Sequence, residues 1–246
     1  MPRKPRFVLP GVPLHVVQRG HNRDAVFFEA QDYLAYLDWL RQAAVRYEVG
    51  IHAWCLMTNH IHLLVTPQEV AGVARMMQFV GRHYVPYVNH KYGRSGSIWE
   101  GRYKASLVDA ENYLLACMRY IELNSVAAGI VDHAAKYRWS SFHSNALGQE
   151  DVLITPHSLY KALIGGGSGR ANYLELFNVH QDSLDEQAQQ ISAANQTGTP
   201  LAGSRFLEQI EKALGRKTGQ ARRGRPKGYR VPNGEVDCLQ EELKEL

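Results

Sequence analysis

The sequence has no long apolar run and few cysteines, and these two shortages exclude several classes of protein. No stretch approaches the roughly eighteen apolar residues of a membrane-spanning helix. The basic start, residues 1–6, leads into an apolar segment that is too short for the core of a signal peptide. The three cysteines, Cys55, Cys117 and Cys238, are scattered and odd in number, which excludes a disulfide framework and a four-ligand zinc site built from them. We therefore expect a cytoplasmic protein with reduced thiols, two of them buried, and no membrane partner.

The positive charge is small in total but concentrated near the end of the chain. The net charge of the 246 residues is +4. Residues 216–230 contain seven Lys or Arg and no acid, whereas the last twelve residues contain five acids and one lysine. A basic segment without acids suits a polyanion, most often DNA. The alternative is a solvated, disordered tail without a partner.

Apolar periodicity predicts alternating strands and helices over the first half of the chain. The predicted elements are a strand at 14–18, a helix at 31–47, a hairpin with strands at 51–57 and 60–66, a helix at 70–92 kinked or ended by Pro86, a strand at 97–108 or a strand pair broken at Gly101, and a helix at 110–128. This order predicts an α+β fold, in which helices pack mostly on one face of an antiparallel sheet.

After about residue 149 the composition becomes more polar. Residues 156–195 are predicted to be helical, with a joint at the glycine-rich segment 165–169, and a helix capped by Ser204 covers 204–214. We expect a first domain at 1–149, a helical extension at 150–215, and a flexible, DNA-contacting tail at 216–246.

The hairpin carries two histidines in the pattern His60-Ile61-His62. Side chains alternate along a strand, so His60 and His62 project from the same face, roughly 6.5–7 Å apart at the backbone. Two imidazoles on one face of a strand can share a metal ion. Alternatively, they are exposed or hydrogen-bonded histidines on an open sheet face.

The helix at 110–128 places Tyr120 and Asn124 four residues apart, on one helical side. Tyrosine is common at helix–sheet contacts, so Tyr120 alone does not indicate catalysis. A phenol with a pKa near 10 is a poor nucleophile at neutral pH, and a metal ion on a scissile phosphate would make the phosphorus more electrophilic. His60, His62 and the Asn124 carbonyl would give such an ion three ligands and leave positions open for phosphate and water.

Four motifs then carry a family resemblance across roughly residues 1–150. They are LHVVQRGHNR, WCLMTNHIHLLV, GSIWEGRYK and RYIELNSVAAGIV, in that order. With them the chain resembles the single-tyrosine transposases of the HUH endonuclease class, and among these the REP-associated tyrosine transposases, which act on repetitive extragenic palindromes. Ser125 departs from the proline usual in the family, at a position outside the proposed ligand set.

The resemblance implies a ferredoxin-like core and DNA cleavage through a covalent enzyme intermediate. Tyr120 would become linked to the 5′ phosphate of the cut strand, and His60, His62 and Asn124 would hold Mg²⁺ or Mn²⁺. Ligand chemistry alone leaves zinc, nickel and copper open. The implied substrate is an imperfect DNA hairpin with an adjacent single strand, bound by a monomer or a homodimer in the cytoplasm, at the nucleoid.

Several residues are candidates for binding the DNA. Arg and Lys side chains favour phosphate contacts, and an aromatic ring can stack on an unpaired base. In the first domain the candidates are Arg19, Asn22, Arg23, Trp99, Arg102 and Lys104, with a core position as the alternative for Trp99. In the tail they are Arg222, Arg223, Arg225 and Lys227, where Arg-Gly-Arg-Pro resembles the core of an AT-hook that enters the minor groove.

Two rival functions remain open at this point. One is a DNA-hairpin-binding protein without useful catalysis, in which Tyr120 and the histidines would have no shared task. The other is a metal-dependent hydrolase that activates water, in which Tyr120 would be incidental.

Overall fold

The computed structural model describes residues 6–178 and 181–218, and it consists of one four-stranded sheet with helices on both sides. The strands are β1 (Leu14–Arg19), β2 (Val49–Met57), β3 (His60–Pro67) and β4 (Lys104–Leu107). The helices are α1 (Ala30–Arg46), α2 (Gly72–Lys91), α3 (Ala110–Glu122), α4 (Asn124–Ala127), α5 (Phe142–Asn145), α6 (Ser158–Ile164), α7 (Ala171–Glu175), α8 (Gln181–Thr197) and α9 (Ser204–Leu214). The predicted α+β class with an antiparallel sheet is confirmed.

The sheet has the strand order β2-β3-β1-β4, and all three pairings are antiparallel. The two-residue link between β2 and β3 forms the predicted hairpin, in which Met57 pairs with His60. On the other side of β3, β1 pairs Arg19 with His60 and Val17 with His62. Because paired residues share a face, this register decides which side chains surround the two histidines.

The first face of the sheet carries the larger apolar core. Ile61, Leu63 and Val65 of β3 are fully buried there against α1 and α2. Aromatic rings fill the same layer, with edge-to-face and tilted contacts that suit their quadrupoles. The fully buried rings of this layer are Phe27, Tyr36 and Tyr84.

The second face is covered as well, which corrects the expectation of helices mostly on one side. Leu64 and Cys55 pack there in a separate apolar cluster with Cys117 and Ile121 of α3. Helices α6, α7 and α8 contribute Tyr160, Tyr173 and Ile191 to this cluster. The helical extension therefore shares a hydrophobic cluster with the sheet, and the division near residue 149 stays a prediction.

Several predicted boundaries were wrong in detail. Only Lys104–Leu107 of the segment 97–108 forms a strand, while Trp99 makes an isolated bridge to Gly20. The predicted helix 110–128 is divided at Leu123 into α3 and α4. Helix α2 continues past Pro86, which was expected to kink or end it, and the helix that Ser204 was expected to cap has Gly203 as its N-cap.

Two other sequence expectations can be compared with the described residues. Cys55 and Cys117 are free and buried, as predicted, whereas Cys238 lies outside the described residues. Within residues 6–178 and 181–218, none of the helices has the length and apolar character that crossing a membrane requires.

Candidate active site

The candidate site lies on the second face of the sheet, where β1 and β3 run side by side under α3 and α8. His60 and His62 share this face, and their rings are 5.0 Å apart between centroids, in an edge-on arrangement. Arg19 pairs with His60 across the strands and therefore projects from the same face. The two-residue period of the strand thus brings both imidazoles to one place, as the sequence pattern predicted.

His60 is held in one tautomer by its neighbour. Its Nδ1 is 2.6 Å from the side-chain oxygen of Asn59, whose amide nitrogen donates to the carbonyl of Arg23 at 2.9 Å. Because that oxygen only accepts, His60 Nδ1 carries the proton and donates it. The lone pair therefore lies on Nε2, which is the nitrogen available to a metal ion.

His62 is held by a second imidazole that the sequence analysis did not single out. His15 lies on β1, and its Nε2 is 3.0 Å from Nδ1 of His62. If His62 Nε2 were to bind a metal ion, Nδ1 would carry the proton and donate it to His15. His15 is almost fully buried, and its own Nδ1 has no hydrogen-bond partner among the described residues.

Burial keeps these three imidazoles neutral. It lowers the pKa of His60 to about 4, with help from the nearby charge of Arg19, and the pKa of His15 to about 3. Burial also places the pKa of His62 well below its usual value, assisted by His15, His60 and Arg19. Neutral imidazoles keep the lone pairs that metal coordination needs at neutral pH.

Tyr120 of α3 lies against the histidines from above the sheet. Its ring centroid is 5.8 Å from that of His62 and 5.7 Å from that of His15, with both contacts edge-on. Burial raises the pKa of the Tyr120 phenol, and Cys117 raises it further, while Ser192 and Arg19 act in the opposite direction. The phenol is therefore protonated at neutral pH in the metal-free protein.

Asn124 is close to Tyr120 but makes no described bond to the histidines. Its amide nitrogen donates to the carbonyl of Tyr120 at 2.7 Å and to that of Ile121 at 3.4 Å. Among the described residues no hydrogen bond joins Asn124 to His60 or His62. The ligand role of Asn124 stays a prediction.

The described residues offer a metal ion only a partial set of ligands. Within the described ranges, no three side chains of His, Cys, Asp or Glu group together in a way that could hold an ion. His60 and His62 fit as two ligands because their free Nε2 atoms lie on one face. A third ligand would have to be an amide oxygen, a phosphate oxygen or water.

The predicted DNA contacts of the first strand lie beside His60. Asn22 and Arg23 are exposed in a short 3₁₀ turn, both with positive φ, and the bond from Asn59 holds this turn. The turn also requires Gly20, because a Cβ there would lie 2.3 Å from the carbonyl oxygen of Asp24. Arg19 and this turn therefore place cationic side chains next to the candidate metal ligands.

Of the remaining candidates for DNA contact in the first domain, two lie at the surface and one lies in the core. Arg102 and Lys104 are exposed at and before the edge strand β4. Trp99 is only 6% exposed and contacts Tyr36 and Tyr84, so the structure favours the core alternative over base stacking. The tail candidates Arg222, Arg223, Arg225 and Lys227 lie outside the described residues.

Two further residues of this site escaped the sequence analysis: His15 and Asn59. They fix the orientation of the two candidate ligands. The asparagine directly before His60 could have been noticed, since imidazoles that bind metals commonly bond their second nitrogen to an oxygen. The contact of His15 with His62 depends on the register of β1 against β3.

Comparison with known proteins shows which proteins the chain is similar to in this region. Residues 10–124 match the family model described as IS200-like transposase. This span contains both histidines, Tyr120 and Asn124 and covers just under half of the chain, which is similar to IS200-like transposases over these residues. No curated protein matches the sequence.

A solved structure of a REP-associated tyrosine transposase bound to a REP hairpin shares the fold. It is 17% identical, covers 64% of this chain and 93% of its own, and has a TM-score of 0.51. The resemblance seen in the motifs is thus confirmed by the family model and by the fold.

Two other solved structures are more distant in shape. A putative transposase from Deinococcus radiodurans R1 is 21% identical over 49% of this chain and 95% of its own, with a TM-score of 0.34. A bacterial tRNA(His) guanylyltransferase-like protein in complex with ATP is 11% identical over 58% and 72%, with a TM-score of 0.35.

Proposed function

We propose that this protein is a metal-dependent endonuclease and strand transferase that cuts single-stranded DNA beside hairpin-forming repeats through a 5′-phosphotyrosine intermediate. The observation that carries the proposal is the contact between Tyr120 and His62, whose ring centroids are 5.8 Å apart within one chain. A candidate nucleophile and a candidate metal ligand therefore lie side by side. Because one chain supplies both groups, a monomer is sufficient for the proposed chemistry.

The neutral state of the histidines supports a metal ion in this place. His60 and His62 would hold Mg²⁺ or Mn²⁺ through their Nε2 atoms, with Asn124 as a further candidate ligand. When bound, the ion would polarise the scissile phosphate and neutralise charge that develops on it. His15 and Asn59 would keep the two imidazoles in the orientation that this binding requires.

In the proposed cleavage step the Tyr120 oxygen attacks the phosphorus of the scissile phosphodiester. The bond between tyrosine oxygen and phosphorus forms as the bond between phosphorus and the 3′ oxygen breaks. The phenol proton passes to solvent, and the departing 3′ oxygen takes up a proton to become a hydroxyl. Rejoining reverses these bond changes, so no external energy source is needed.

Arg19 is proposed to assist at the same point. Its positive charge acts on Tyr120 in the direction that favours the phenolate, which is the nucleophilic form. A guanidinium on this face can also bond two oxygens of a phosphate. We therefore propose that Arg19 binds the DNA backbone next to the cut, with Asn22, Arg23, Arg102 and Lys104 further along the strand.

The substrate class is proposed from the shared fold. The solved relative with this fold is bound to a REP hairpin. Exposed cationic residues flank the site of the present chain, as backbone binding requires. A hairpin with a single-stranded flank would therefore place its unpaired segment over the histidines and Tyr120.

The test is incubation of the full chain with Mn²⁺ and a labelled hairpin that has a single-stranded flank. We expect a covalent protein–DNA adduct that maps to Tyr120 by mass spectrometry. The Tyr120→Phe variant should lose adduct and cleavage while hairpin affinity is retained. Tyr113→Phe, on the same helix, is the matched control and should cleave like the wild type.

The same experiment separates the rival functions. A hydrolase that activates water would continue to cut the DNA after the Tyr120→Phe change. A protein that only binds hairpins would give neither cleavage nor adduct with any repeat-derived hairpin tested, although it would bind them. Either result would contradict the proposed function.

A further inference from the structure

A cavity of about 640 Å³ lies between α3, α4 and the helical extension. Tyr120 and Asn124 line it, so the cavity adjoins the candidate active site. The extension supplies part of the wall, with Phe177 and Ala188 among its residues. Sites for small molecules and cofactors in proteins typically enclose roughly 300–1,000 Å³. The proposed cleavage step makes no use of this space, although it is large enough for a ligand.

Aromatic rings form part of the cavity wall. Phe142 and Phe177 both line it, and their ring centroids are 5.1 Å apart in an edge-to-face contact. His133 lines it as well, with its ring centroid 5.9 Å from that of Phe142. Protein rings of this kind stack on unpaired bases of any identity, because every base has a π face. The wall therefore suits a flat, aromatic ligand.

The charges around the cavity disfavour a phosphate group. Asp132 and Asp185 place carboxylates in the lining, and Asp132 pairs with Lys136 at the surface. Among the described lining residues Arg119 is the single Arg or Lys, and its guanidinium already donates two hydrogen bonds within the protein. A phosphate would meet carboxylates of its own sign in this lining. The cavity therefore favours an uncharged part of a nucleic acid over its backbone.

Polar groups in the lining can bind the edge of a base. The Gln187 carbonyl oxygen accepts a hydrogen bond from Arg119, which leaves the Gln187 amide nitrogen as a donor. His133 Nδ1 accepts from the backbone N–H of Ala135 at 3.1 Å, so its Nε2 carries the proton and is a second donor. Apolar walls with a few polar groups are typical of ligand sites.

We propose that this cavity receives one unstacked base of the single-stranded flank, from a nucleotide next to the scissile phosphate. The inference rests on the proposed function, since that function places the phosphate at Tyr120. A base held in the cavity fixes the register of the strand against Tyr120 and thereby determines which phosphodiester is cut. The helical extension thus supplies a specificity-determining surface of the site.

The test combines removal of a base from the DNA with a filled cavity in the protein. Abasic nucleotides replace the flank positions one at a time, and the affinity of the full chain for each hairpin is measured by fluorescence anisotropy in excess chelator. Ala188→Phe fills the cavity from α8, and Ala193→Phe, at an exposed position of the same helix, is the matched control. Adduct formation with Mn²⁺, measured in parallel, maps the position of the cut.

We expect one abasic position next to the cut to weaken binding by the wild type about tenfold, which is within the range of base–aromatic stacking. Ala188→Phe should bind the complete hairpin about tenfold more weakly than the wild type does, with no further loss when that base is removed. Ala193→Phe should respond as the wild type does. Such non-additivity between a base and a side chain indicates that the two are in contact.

A second measurement uses the unaltered protein, so it does not depend on the folding of Ala188→Phe. 4-Thiothymidine is placed at each flank position in turn, the complex with the wild type is irradiated, and the crosslinked peptide is identified by mass spectrometry. We expect a crosslink in the cavity wall, at Phe142 or Phe177, from the same position that the abasic series identifies.

Three results would overturn the inference. They are wild-type binding that no abasic position weakens, equal sensitivity to the abasic position in the wild type and in folded Ala188→Phe, and crosslinks that all lie outside the cavity wall. A wild type that forms adduct but gives any of these results contradicts this inference alone. A wild type that forms no adduct contradicts the proposed function, yet binding and crosslinking still decide whether a base enters the cavity.

Discussion

The two faces of the sheet are built from different kinds of residue. The first face is filled by aliphatic and aromatic side chains of α1, α2 and the strands, with Tyr36 and Tyr84 at its centre. The second face contains buried polar groups beside its apolar cluster, including His15, His62 and Glu122. Burying such groups costs free energy unless they are paired, whereas apolar burial stabilises the fold directly. The comparison indicates that the first face supplies stability, while the second face holds the polar groups of the proposed active site.

Pairing on the second face also fixes the helix that carries Tyr120. The Glu122 carboxylate accepts hydrogen bonds from Ser141 at 2.7 Å, Asn145 at 2.8 Å and Tyr173 at 2.9 Å. Arg119 donates to the carbonyl of Leu176 and to Gln187. Arg119, directly before Tyr120, and Glu122, two residues after it, therefore both bond to the helical extension. The contacts that stabilise this face thus also hold Tyr120 in position.

The largest expected effect is on the rate of adduct formation, and it comes from the His62→Ala change on the second face. Loss of this imidazole removes a candidate metal ligand, so adduct formation should fall by about a thousandfold or more, while hairpin affinity is kept. Binding of Mn²⁺, followed by electron paramagnetic resonance, should weaken in parallel. The control is His83→Ala, an exposed histidine on α2. Cleavage that persists in excess chelator would end the metal hypothesis.

On the first face, Trp99→Ala should reduce stability rather than chemistry. Removal of this buried ring leaves a cavity and should lower the free energy of unfolding by about 3–5 kcal/mol. Urea denaturation measures the change, and Phe28→Ala, at a ring 43% exposed, is the control with a much smaller expected loss. The folded fraction of the variant should form adduct at the wild-type rate. A large loss of rate at full folding would show that Trp99 acts on the DNA after all.

The pH dependence of stability should show the polar character of the second face. Burial raises the pKa of Glu122 to about 7. A raised folded-state pKa contributes stability that is complete below the unfolded value and is lost as the pH rises through the folded value. Relative to Glu122→Gln, the wild type should therefore lose about 2–3 kcal/mol of unfolding free energy between pH 5 and pH 8.

Urea denaturation at several pH values measures this difference. The control is Glu111→Gln, at an exposed position on the same helix, whose unfolding free energy should change with pH as that of the wild type does. If the unfolding free energy of Glu122→Gln also changed with pH as that of the wild type does, the Glu122 carboxyl would have the same pKa in the folded and the unfolded chain. That result would contradict the prediction.

The smallest expected effect concerns the predicted tail at 216–246. Arg216 and Thr218 bond to the folded part, so a deletion of 219–246 spares these contacts. It should weaken hairpin binding by about tenfold and make the salt dependence of binding less steep, with little change in single-turnover rate. Deletion of 231–246 alone keeps the basic segment and should have no such effect. An unchanged salt dependence after the longer deletion would count against DNA contact by the tail.

Local pattern predicted most of the fold and the central part of the site. Strand alternation placed His60 and His62 on one face, and helical periodicity placed the helices close to their observed bounds. Coverage of both faces was missed, although the near-continuous apolar run of β3, with Leu64 beside Leu63, is typical of a strand buried on two sides. The shortness of β4 was predicted only in part: a break at Gly101, which has φ of 67°, was one of two alternatives, but the strand begins only at Lys104.

The supporting residues of the site could not be predicted in the same way. The bond between His15 and His62 depends on the register of β1 against β3, which no local period of either strand contains. The Asn195 amide reaches the backbone carbonyl of His15 only because α8 folds back over the sheet. Such contacts between distant segments are decided by tertiary packing and are visible only in the structure.

The hydrogen bonds that hold α3 at Arg119 and Glu122 have a consequence for the proposed substrate. A tyrosine between two such fixed points has little freedom to swing out and search for a phosphate. The distortion needed to bring the phosphate into line then falls on the nucleic acid. An unpaired strand bends at little cost, while a stacked duplex resists bending, and the rigidity of one short helix would by itself favour the flank of a hairpin over its stem.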